Sequence, residues 1–178
     1  ATWAFARLEA ASPRLSEALS SQVLSRISEL SPSGLASAAW SAAKLQDHGG
    51  IAFDDVLARS RATLHDFPPR DLAGIAWAAA TMRAGDEAWP REVEVEAMAK
   101  VSELGSMDVV NLAWALGEHG VDSGPFVAKA SDEVLRSVAS GQLASQDLGR
   151  WLWAFAKLSV ESSELVDAVT RQVEDKVG

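Results

Sequence analysis

A tryptophan recurs at a nearly fixed interval along this chain. Trp3, Trp40, Trp77, Trp114 and Trp153 stand 37, 37, 37 and 39 residues apart. Each sits in a version of the same phrase: TWAFARL at 2–8, AWSAAKL at 39–45, AWAAATM at 76–82, AWALGEH at 113–119 and LWAFAKL at 152–158. Self-similarity at a period of roughly 20–50 residues is the signature of a repeat array, in which each unit buries its apolar face against its neighbours. This feature limits the chain to a small set of architectures.

The second repeat shows how one unit is built. Ser31-Pro32-Ser33-Gly34 reads as a turn and helix start, with serine suited to an N-cap and proline to the first turn. A first helix then carries Leu35, Ala36, Ala39, Trp40 and Ala43, spacings that keep one face apolar. Asp47-His48-Gly49-Gly50 closes it. A second helix runs from about Asp54 to Phe67, where Pro68-Pro69 ends it.

The same offsets return down the chain. Six residues before each tryptophan stand Gly34, Asp71, Asp108 and Asp147, and aspartate at a helix start accepts from orphan N–H groups. Alanine, serine or glycine fills the places one and three after it, so each indole is expected to fill space between closely approaching helices. Trp3, Trp40, Trp77, Trp114 and Trp153 are therefore read as the structural core of the repeats.

The second helix has its own ladder of four columns. Twelve residues after the tryptophan come Leu15, Ala52, Trp89, Phe126 and Leu165. Sixteen after come Leu19, Val56, Val93, Ala130 and Val169. Twenty after come Val23, Ser60, Ala97, Val134 and Val173, and twenty-four after come Ile27, Leu64, Val101, Val138 and Val177. Columns four apart make the stripe of an amphipathic helix. The expected fold is all-α: a right-handed α-solenoid of about five stacked helix–turn–helix repeats of 37–39 residues. The units lie at approximately 1–30, 31–67, 68–105, 106–143 and 144–178, the first lacking its N-terminal helix start.

Composition narrows the chemistry. A formal net charge of −9 argues against a broad phosphate-binding surface and against an anionic membrane. No cysteine means no disulfide, thiolate ligand or cysteine nucleophile. No apolar run approaches the roughly 20 residues of a membrane span. His48, His65 and His119 lack any paired metal-ligand spacing. Glu92, Glu94 and Glu96 alternate with apolar residues and read as a solvated helix face rather than paired acid/base carboxylates. No nucleophile, phosphate-loop or dinucleotide motif is present. No catalytic, metal-binding or cofactor-binding residue is expected.

Arg26, Arg59, Arg61, Lys100, Lys129, Arg136, Arg171 and Lys176 all fall on second helices, interleaved with acids. Such a mixed stripe is usually a salt-bridged surface. Trp151 and Trp153 lie two apart on one helix, so both cannot face one core. Trp151, with Arg150 and Lys157, is the candidate contact for a partner.

The phrase DLAxxxWAxA, as it stands from Asp71, resembles the first-helix signature of the octotricopeptide-type repeats and is similar to the related heptatricopeptide repeats. The resemblance covers essentially the whole chain. It implies an α-solenoid, an organellar location (plastid more than mitochondrion) and, typically, binding of organellar RNA. RNA codes of this kind read bases with polar side chains on the lining helix. The outward positions here, three before and one and four after each tryptophan, are mostly small: Ser37, Ser41, Lys44; Gly74, Ala78, Thr81; Asn111, Ala115, Glu118; Arg150, Ala154, Lys157. The residues thus favour a non-enzymatic scaffold that docks on other protein subunits, with RNA binding as the alternative, disfavoured by the acidic charge.

Overall fold

The computed structural model describes residues 21–45 and 53–140, together with 149, 167 and 170. Among the described residues every regular element is helical. Residues 21–25 are helical and lead into a 3-10 turn, Ile27–Glu29. Three helical hairpins follow. The first pairs α1 (Pro32–Leu45) with α2 (Phe53–Arg61). The second pairs α3 (Pro69–Met82) with α4 (Trp89–Ala99), and the third α5 (Ser106–Glu118) with α6 (Gly124–Ala139). The first helices form one layer, α1 on α3 and α3 on α5, and the second helices pack behind them.

The second-helix ladder lies where its period places it. Val56, Ser60, Trp89, Val93, Ala97, Phe126, Ala130 and Val134 are all buried. The last column differs in form except at Val138, which stays within α6. Leu64 and Val101 lie not in a continued α-helix but in 3-10 turns, Leu64–Asp66 and Val101–Glu103. Thr63, Asp66 and Phe67 donate to carbonyls three residues back, which tightens the chain. Phe67 is then extended (φ −67, ψ 128), as the residue before a proline prefers. Leu30 and Leu104 take the same conformation at the ends of their own 3-10 turns. Each of these side chains ends one unit and packs on its core.

The turn from α3 to α4 requires glycine. Arg83 already takes the left-handed conformation (φ 52), and Gly85 follows at φ 101 with the Trp89 indole 3.0 Å from where a Cβ would stand.

The seams between second helices are tied by polar groups. Arg61 donates from Nε and Nη2 to the two Glu92 oxygens, at 2.6 Å each, and from Nη1 to Asp86 at 2.8 Å. Asp86 also accepts from the backbone N–H groups of Ala88 and Trp89, capping α4. Lys100 reaches the His65 carbonyl and Lys129 the Met98 carbonyl, both at 2.9 Å. Arg59 reaches the Ser28 carbonyl at 3.5 Å. Arg59, Arg61, Lys100 and Lys129 are thus spent on fixing one unit to the next.

This clamp gives the stability an acid limb. The Arg61 hydrogen bond, then those from the backbone, hold the Asp86 carboxyl below its usual range, and its carboxylates hold the guanidinium protonated. A carboxyl with a depressed folded pKa stabilises the fold above its unfolded pKa, and that contribution is lost as pH falls through the folded value. Asp86→Asn is therefore expected to lower Tm at neutral pH and to flatten its decline toward about pH 3. Thermal melts of both proteins across that range check it; parallel curves would show that the clamp carries no such linkage.

Candidate functional site: the groove along the first helices

Among the described residues α3 is packed on three sides, by α1 and α5 in the layer and by the second helices behind, while α1 and α5 pack on α3 and on their own second helices. One stripe per helix is left. On α1 it is Ser37, Trp40 and Lys44; on α3, Gly74, Trp77 and Thr81; on α5, Met107, Asn111, Trp114 and Glu118. Spacings of three and four keep each stripe on one face. Flanking positions are buried: Ala39, Ser41, Ala76, Ala78, Ala113 and Ala115.

For the three described repeats the expectation that the tryptophan is core is therefore corrected, although Trp77 packs one side against the core. Trp40 and Trp77 are half-buried, and Trp114 is 40% exposed. The small residues beside each indole are small because helices meet there, not because the indole fills a gap between them. The outward positions also need one correction. Those three before and four after the tryptophan do face outward, whereas Ser41, Ala78 and Ala115, one after it, are buried. Ser41 meets its hydroxyl's needs by donating to the Ser37 carbonyl at 2.6 Å. Trp89 is buried, as its column predicts. Trp3, Trp153, Trp151, Arg150 and Lys157 lie outside the described residues.

The α1 stripe, Gly74 and Trp77 of α3, and Met107 and Asn111 of α5 line an open groove of about 650 Å³, which Arg70 also borders; Trp114 stands one turn beyond it on α5. The Lys44 ammonium lies 5.8 Å from the Trp40 ring centroid and 5.6 Å from that of Trp77, within cation–π range of both. Trp77 and Trp114 meet each other directly, with centroids 6.5 Å apart and planes tilted by 36°. Two carboxylates stand at the helix starts. Asp71 accepts the Ser33 hydroxyl of the preceding unit. Asp108 accepts the Gly105 N–H at 3.1 Å, and burial raises its pKa, opposed by that bond and by Arg70.

The other candidates fall away on geometry. Glu92, Glu94 and Glu96 face Arg61, Arg91 and Lys100 respectively, so none forms a carboxylate pair. His65 is exposed beside Asp66. His119 is half-buried, its Nε2 has no hydrogen-bond partner, and burial lowers its pKa. His48 lies outside the described residues. Among the described residues no three His, Asp or Glu side chains converge as a metal site would need, and no helix is long and apolar enough to cross a membrane.

Compared with known proteins, the chain matches no protein-family model and none of the curated proteins.

Proposed function

We propose that this chain is a non-enzymatic helical-repeat scaffold, a protein-interaction subunit whose docking surface is the groove of its first helices. One observation carries the reading: Trp40, Trp77 and Trp114 repeat at 37-residue spacing on the one face that intramolecular packing leaves open. Large aromatics that are half covered by their own fold and set in a row are the anchors that protein interfaces favour. In this reading the hairpins continue through the flanking units as a five-repeat solenoid, docked in a larger organellar assembly, in a plastid rather than a mitochondrion. The solenoid rests on the period of the sequence. The compartment rests on the resemblance alone.

RNA binding is the second reading, and the same exposed indoles favour it, because bases stack on open aromatic faces. Charge ranks it second. Lys44 and Arg70 in the groove stand against Asp71 and Asp108. Among the described residues the lysines and arginines of the second helices are engaged across the seams or with acids on their own helix.

Site-specific photo-crosslinking separates the two. A benzophenone amino acid is placed at Trp40, Trp77 or Trp114, and at Val95 as a control on α4, where the side chain is 67% exposed. Each protein is irradiated in native extract with and without nuclease. The scaffold reading expects the same protein adducts from the groove positions in both halves, and none from Val95. Adducts that disappear with nuclease, or equal labelling from Val95, overturn it.

A further inference from the structure

The repeats allow the groove to be compared with itself. One turn after Trp40 the chain places Lys44, whose ammonium covers Trp40 and Trp77. One turn after Trp77 it places Thr81, whose hydroxyl turns back to the Trp77 carbonyl at 2.8 Å. One turn after Trp114 it places Glu118. The first gap thus supplies its own cation. The last turns of α5 supply an indole and a carboxylate at the same spacing, and no cation among the described residues.

Several features make that end a place for a guest. Trp114 packs one side against Trp77 and remains 40% exposed. Met107, two turns earlier on the same face, is 49% exposed, and Asn111 lies between them. Glu118 is exposed and makes no salt bridge with any described residue. Lys44 on α1, Arg70 and Asp71 on α3 and Asp108 on α5 line the groove, and Glu118 lies beyond it at the C-terminal end of α5. Both cations belong to α1 and α3; the α5 stripe contributes only acids. A cation held over an indole beside a carboxylate gains from both the ring quadrupole and the ion pair. The net charge of −9 draws the same class of partner toward the surface.

We infer that the Trp114–Glu118 turn of α5, next to the groove, receives a lysine or arginine side chain from a docked basic protein segment, with Met107 and Asn111, which line the groove, contacting the residues beside it. This deepens the scaffold reading and rests on it for the identity of the segment as protein. A nucleic-acid strand is the wrong occupant here, because its phosphates would meet Glu118.

The test is an NMR titration of the full chain, following the indole N–H signals of its seven tryptophans. The probes are N-acetyl-arginine amide, the neutral N-acetyl-norleucine amide and uridine monophosphate. Trp114→Phe assigns the Trp114 signal. The arginine probe is expected to shift that signal in a saturable way, and Glu118→Gln to weaken the titration about two- to fivefold. Trp114→Leu removes that signal and is expected to abolish the probe's effect on the neighbouring Trp77 signal, with the five remaining signals unmoved as proof of folding. An equal response to the norleucine probe, tighter binding of the nucleotide, or an unchanged titration in Glu118→Gln overturns the inference. Failure here with groove crosslinks intact leaves a scaffold whose partner has another chemistry; loss of the crosslinks fails the scaffold reading itself.

Discussion

Phe67→Ala is expected to destabilise the chain by about 3–5 kcal/mol, a large share of the 5–15 kcal/mol of a typical domain. Phe67 is 1% exposed and lies outside any helix. It ends the 3-10 turn of one unit, and the next helix begins two residues later at Pro69. Its ring is therefore core to the junction, and truncation leaves a cavity that two proline-fixed neighbours cannot collapse to fill. Trp77→Ala is the contrast. The indole is larger but half-buried, so its loss should cost about 2 kcal/mol or less. Urea unfolding of both variants decides the order. A greater loss from Trp77 would return the tryptophan column to the core and remove the basis of the groove.

That contrast marks how far the sequence is legible. The period sets the hairpins, and the second-helix columns, four apart, identify a face that is in fact buried. Charged residues fall between those columns, so amphipathicity is visible in the second helices. The first helix carries a weaker signal. On α3 the positions Leu72, Ala73, Ile75, Ala76, Ala78, Ala79 and Ala80 are all buried. Such a helix is apolar nearly all round, and its outward face cannot be found from hydrophobicity. The tryptophan is its largest apolar residue and so resembles core. Helical geometry nevertheless holds the answer. Ser37, Trp40 and Lys44 are three and four apart and must share a face, so polar outer positions and a buried indole between them are incompatible. The lysine-to-carbonyl ties across the seams are another matter. They depend on how neighbouring second helices align, which no single-helix pattern encodes.

Small residues on α3 do two different jobs, and two substitutions separate them. Ala79 is 0% exposed, on a helix packed by α1 on one side and α5 on the other. Ala79→Leu adds three carbons where close approach leaves no void, and is expected to cost about 1–3 kcal/mol as backbones shift or rotamers strain. Gly74 stands five residues earlier on the open stripe. A Cβ built there meets nothing within 4 Å. Gly74→Ala removes the entropic weakness of a mid-helix glycine without a clash, and should stabilise by about 0.5–1 kcal/mol. The pair of opposite signs, read from midpoint shifts at unchanged m-value, distinguishes packing faces from the groove face within one helix. If Gly74→Ala destabilised as Ala79→Leu does, the Gly74 side of α3 would be a packed face. The groove would then be closed at its centre, and no partner would have room to dock between Trp40 and Trp114.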